Sequence, residues 1–198
     1  MPIHRTLRIL TLALWLGLSI QVQAREERAG ASAASGHAGQ ESRVIKSLSA
    51  EEVGSLLAGK GMGFAKAAEL NGYPGPAHVL ELAKDLDLSG EQRHRTEALF
   101  GSMEQHAASL GLALVQAERE LDRLFADGSV TADALSAVLT KIGALQFRLR
   151  DVHLQAHLEQ KRILTPSQTV RYAELRGYAS GVQLPRGSSP RHEHRHHQ

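Results

Sequence analysis

The chain has 198 residues, no cysteine, 4% aromatic side chains and a formal net charge of +2. The lack of thiols excludes disulfide staples and thiolate metal sites. With so few aromatics, Ala and Leu must fill the core, which favours helix packing over a sheet sandwich.

The N-terminal segment reads as an export signal. His4, Arg5 and Arg8 form a basic start, Ile9 to Ile20 an apolar run, and Val22-Gln23-Ala24 the small residues a signal peptidase needs. The run is shorter than the ~20 residues a helix needs to cross a bilayer. Cleavage after Ala24, a periplasmic location and no stable membrane insertion are therefore expected. Two of the 23 basic residues and none of the 21 acidic ones belong to residues 1–24. What remains is neutral, with no electrostatic basis for nucleic-acid binding.

Residues 25–47 are rich in Ala, Ser, Gly and charge without an apolar period, and read as a disordered linker. Ser49-Ala50-Glu51-Glu52 is a capping box that opens a short helix ending in Gly59, Gly61 and Gly63. A second short helix is predicted over Phe64 to Leu70, and a third from Pro76 through Leu86 after the turn Tyr73-Pro74-Gly75. Ser89 with Gln92 forms another capping box. The helix it opens carries a stripe at Leu99, Met103, Leu110, Leu114, Ala117, Leu121 and Phe125, and ends at Asp127-Gly128. At 1.5 Å per residue it is roughly 55 Å long. Thr131 caps a return helix with the stripe Leu135, Val138, Ile142, Leu145, Leu149, Val152 and Ala156. Thr165-Pro166-Ser167-Gln168 opens a last helix to about Arg176. The pattern predicts an all-α fold, a long antiparallel helical hairpin with short flanking helices. Residues 179–198 read as a disordered tail with His192, His194, His196 and His197 near its end.

His153 and His157 lie one turn apart on the return helix, on one face. Such a pair can share a Zn, Ni, Co or Cu ion, and it equally suits two histidines at the edge of a packed face. Leu154 stands where a zincin has its catalytic glutamate, so a hydrolytic site is not expected. Pairing the long helices about Asp127–Ser129 puts His106 on the Met103–Leu110 stripe, near the level of His153, as a further candidate metal ligand. Met103 reads as core, with a thioether that can also serve a metal. His94 reads as a surface residue. The tail histidines can hold divalent metal loosely, with affinity falling as they protonate. Gly59-Lys60-Gly61-Met62-Gly63 lacks the strand and the ending of a phosphate loop, and nothing matches a nucleophile elbow. No enzyme and no organic cofactor are expected.

Leu88-Ser89-Gly90-Glu91-Gln92 and Leu164-Thr165-Pro166-Ser167-Gln168 together resemble the paired Leu-Thr-x-x-Gln signature of the Spy/CpxP family. That family includes periplasmic chaperones, zinc-resistance-associated proteins and nickel–cobalt sensors. The resemblance covers about residues 48–178 and is strongest at 72–82 and 164–178. Ser89 departs from the usual threonine and caps equally well. It implies a bent hairpin that dimerises into a cradle, with a role in envelope stress or metal response. It also implies that the short helix bearing His78 folds back on the hairpin, so that His78, His153 and His157 can share a metal. Two functions follow as expectations. One is a soluble heavy-metal-responsive protein with chaperone character. The other is an ATP-independent holdase for unfolded or envelope proteins, using apolar patches mixed with arginines such as Arg119, Arg148 and Arg162.

Overall fold

The computed structural model describes residues 36–178. The expected leader 1–24, the start of the linker and the His-rich tail 179–198 lie outside the described residues. The chain divides into two units, Met1–Arg43 and Val44–Gln198. In the first, the described part is a turn running into a 3-10 helix, Gln40–Ser42.

The second unit holds six helices: α1 (Ala50–Leu57), α2 (Lys66–Glu69), α3 (Pro76–Glu81), α4 (Gly90–Ala126), α5 (Ala132–Ile163) and α6 (Pro166–Leu175). Its described residues contain no β-strand, only an isolated bridge between Ile45 and Leu48. The fold class is all-α, as expected. The helix starts follow their caps. Ser49, Ser89 and Thr165 each accept from the amide three residues on, and Glu52, Gln92 and Gln168 reach back to the capping residue's amide. Thr131 Oγ1 accepts from Ala134 N at 3.2 Å.

Two boundaries differ from the sequence pattern. The third short helix stops at Glu81 rather than Leu86, and Asp87 then takes a left-handed backbone with φ 50°. The linker ends before residue 47. Ile45 is 2% exposed and belongs to the main core, Lys46 N donates to Asp122 at 3.1 Å, and Ser47 Oγ donates to Glu118 at 2.8 Å. A single anchoring isoleucine has no period, so the pattern gave no sign of it.

The core lies between α4 and α5. Ala107, Leu110, Leu114 and Ala117 of α4 pack with Val138, Ile142, Leu145 and Leu149 of α5. Side-chain contacts join Glu120 to Lys141 at 3.1 Å and Thr96 to Gln160 at 3.2 Å. The partners therefore step back along α5 as the chain advances along α4. Leu56 of α1 closes this core from the side. A Cβ on Gly111 would sit 2.1 Å from the Leu56 carbonyl oxygen, so only glycine lets α1 rest on α4 there. Phe125, expected on the stripe, is 57% exposed. The first buried residue of α5 is Val138, so no buried side chain on that helix faces the end of α4.

A second, smaller core gathers Val79, Leu86, Leu164 and Tyr172, with Leu88 packed against it. It contains both motif leucines. Beside it the motif glutamines bond each other: Gln92 Nε2 donates to Gln168 Oε1 at 2.8 Å, and Gln168 Nε2 donates to Gln92 Oε1 at 3.0 Å. The remaining amide hydrogens donate to the carbonyls of Ile163 and Leu86, at 2.9 and 3.1 Å. Each glutamine thus caps its own helix and ties the start of α4 to the start of α6.

Candidate functional site

Glu69 ends the one-turn helix α2 and is 9% exposed. A buried carboxylate needs donors or counter-charge, and this one has both. Gly75 N donates to Oε2 at 3.1 Å, and the Tyr172 hydroxyl donates to Oε1. His78 Nδ1 lies 3.5 Å, and Arg176 Nε 3.7 Å, from Oε1; His157 Nδ1 lies 3.6 Å from Oε2. Burial, then the hydrogen bond and charge of Glu69, push the Tyr172 hydroxyl up, so it stays protonated and donates.

His157 is oriented by the turn above it. Its Nδ1 lies 2.8 Å from the Tyr73 carbonyl oxygen. A carbonyl only accepts, so Nδ1 carries the hydrogen, and in the neutral tautomer the lone pair lies on Nε2. The turn sits close on the ring. A Cβ on Gly75 would come within 2.9 Å of His157 Cε1, so a side chain there would push the imidazole away.

His153, one turn earlier, is 3% exposed and stacks on Phe64 with ring centroids 5.7 Å apart. Its Nε2 is buried and has no hydrogen-bond partner. Burial first, and the neighbouring His157 second, hold the ring below its ordinary value of 6.5, so it is neutral at neutral pH. A neutral, partnerless imidazole nitrogen beside a cavity is able to accept a metal or a proton donor.

That cavity has a volume of about 750 Å³. Its walls include Gly61, Glu69, His78, Met103, His153, His157, Arg176 and Tyr178. Three of the four expected histidines therefore share it. His106 does not: it is exposed and absent from the cavity wall. The buried side of α4 at that level runs through Ala107 and Leu110, and one residue, about 100° of helix, turns His106 away from α5. His94 is exposed, as expected. Among the described residues, no group of three or more His, Asp or Glu side chains is set to hold a metal ion.

The pattern missed Glu69, Tyr172 and Arg176. Tyr172 and Arg176 are spaced four apart behind the second motif, but Glu69 lies in a helix too short to show a buried face. No family model, curated protein or solved structure matches the chain.

Proposed function

We propose that the chain is a soluble periplasmic stress protein of Spy/CpxP type that takes a divalent transition metal on its helical hairpin and has chaperone character. His153 carries this reading. It lines the cavity and its Nε2 is buried without a hydrogen-bond partner, one turn from His157, whose Nδ1 is taken up by the Tyr73 carbonyl. Imidazole donors suit Zn, Ni, Co or Cu, and Met103 and His78 stand in the same walls as further donors. An ion held there would tie the hairpin to the short helices that cover it.

The chaperone side of the reading is favoured by exposed apolar side chains on α5. Phe147 is 70% exposed and Leu139 48% exposed, and Arg148 and Arg150 of the same helix are exposed as well. Apolar area interleaved with charge suits loose, nucleotide-free client binding, and pairing of two copies would give it a concave face.

Calorimetric titration of zinc and nickel into the full chain tests the metal reading. Micromolar or tighter binding is expected, weakened roughly tenfold or more in a His153→Phe, His157→Gln double variant. Equal binding by both chains would overturn it. Suppression of client aggregation without metal would then make the holdase the function.

A further inference from the structure

We propose that the cavity's ion is copper(I), held by the imidazoles of His153 and His157 together with the thioethers of Met62 and Met103. This rests on the metal reading above; it shifts the preferred ion from a divalent to a monovalent one and names the donors that complete its site.

Nitrogen and oxygen donors do not make a full set in this cavity. His153 Nε2 is buried without a hydrogen-bond partner. His157 Nδ1 is taken up by the Tyr73 carbonyl, which leaves Nε2 for an ion in the neutral tautomer. The buried groups around them are engaged with one another. Glu69 accepts from Gly75 N and from the Tyr172 hydroxyl, while His78 Nδ1 and Arg176 Nε both face its Oε1. Drawing Glu69 to an ion would strip two hydrogen bonds from a buried carboxylate. Glu81 and Glu104 line the wall as exposed residues. Among the described residues, no three His, Asp or Glu side chains are grouped to hold a metal. Two imidazoles remain, and the missing donors must be of another kind.

Sulfur supplies them. The chain has three methionines, and the two beyond Met1, Met62 and Met103, both line this cavity. They come to it on different elements. Met103 belongs to α4. Met62 lies in the glycine-rich loop between α1 and α2, which is placed by close contacts at both sides. A Cβ on Gly59 would sit 2.5 Å from the Glu104 carbonyl oxygen, and one on Gly61 would lie 3.9 Å from His153 Cε1 and Nδ1. Phe64, two residues past Met62, stacks on the His153 ring. The loop thus passes from α4 beside Met103 to His153 of α5, with Met62 along it. Met62 also holds φ at 43°, a left-handed backbone that glycine adopts freely and a residue with a side chain adopts at a cost. It is exposed and belongs to neither apolar core, so packing does not account for a methionine there. Thioethers are soft donors that select copper(I) over the harder divalent ions. Two neutral imidazoles and two thioethers also bring no negative charge, which leaves less charge uncompensated on a monovalent ion than on a divalent one.

The test titrates copper(I), kept reduced by ascorbate under nitrogen, into the full chain in competition with a chromophoric copper(I) chelator. Four chains are compared: unaltered, Met62→Leu, Met103→Leu and the two changes together, each keeping an apolar side chain of similar size. One copper(I) per chain is expected, held more tightly than zinc. Each single change should weaken it ~10-fold and the pair ~10²-fold. X-ray absorption at the copper edge of the unaltered chain should show sulfur bound to the metal, a readout that needs no variant to fold. Copper without sulfur neighbours, an affinity unchanged in the double variant, or zinc held more tightly than copper(I) would each overturn the proposal. Zinc titrated into the unaltered chain and into the His153→Phe, His157→Gln variant separates this proposal from the reading it rests on. Zinc bound by the first and weakened in the second, with no copper(I) bound, overturns the copper assignment and keeps the cavity site. Neither ion bound, or both bound equally by that histidine variant, overturns both.

Discussion

One face of α5 is buried from Val138 to Ile163, yet its chemistry changes at Leu149. Before that point the buried residues are Val138, Ile142, Leu145 and Leu149; beyond it they include His153, His157 and Gln160. The first stretch meets the aliphatic stripe of α4. The second is covered by short elements, and those covers bring backbone carbonyls, a carboxylate and a cavity. Equal burial therefore has two origins. In one half apolar area is removed from water, and in the other polar groups find partners, with His153 Nε2 and Gln160 Oε1 left over.

The comparison can be broken most forcefully in the aliphatic half. Leu149 is 1% exposed, and Leu149→Ala should lower unfolding free energy by about 2–5 kcal/mol, read from urea denaturation. In the polar half, Tyr172→Phe removes the hydroxyl that donates to buried Glu69. A cost of about 1.5–3 kcal/mol is expected for a hydrogen bond to a charged group. A comparable but smaller loss, about 1–3 kcal/mol, is expected from Gln168→Ala, which leaves Gln92 without its amide partner. Lower protection of the Ser89 and Thr165 amides in hydrogen exchange would localise that effect.

Acid should distinguish the halves more finely. The His153 ring is held below its ordinary value of 6.5, so between its folded value and 6.5 the unfolded chain binds more protons. Its contribution to stability is complete above 6.5 and is lost as pH falls through the folded value. Thermal midpoints should fall on acidification across that window, and His153→Phe should flatten this part of the profile. The smallest effect belongs to the surface. Glu120 and Lys141 meet at 3.1 Å with side chains about half exposed, and Lys141→Ala should cost no more than about 1 kcal/mol, less in high salt.

Legibility in the sequence followed the same division. The caps at Ser49, Ser89, Thr131 and Thr165 are local chemistry, and each was readable from the residues three positions apart. The stripes of α4 and α5 were readable because a repeated period survives one error, as at Phe125. His78, His153 and His157 were identifiable as chemistry-bearing residues, and His106 was placed on the wrong side by a single step around its helix. The reciprocal Gln92–Gln168 amides were not readable, since the motif shows two caps and nothing of their meeting.

The sequence by itself determined an all-helical chain, the starts of its main helices and the imidazole pair one turn apart, because these depend on contacts within a few residues. Only the tertiary structure decided that Glu69 sits between Tyr172, Arg176, His78 and His157, and that His153 keeps a buried nitrogen without a partner. Apart from His78, the partners of Glu69 lie about a hundred positions away along the chain, and their geometry depends on how closely the Gly75 turn and Gly111 let the short helices approach the long ones.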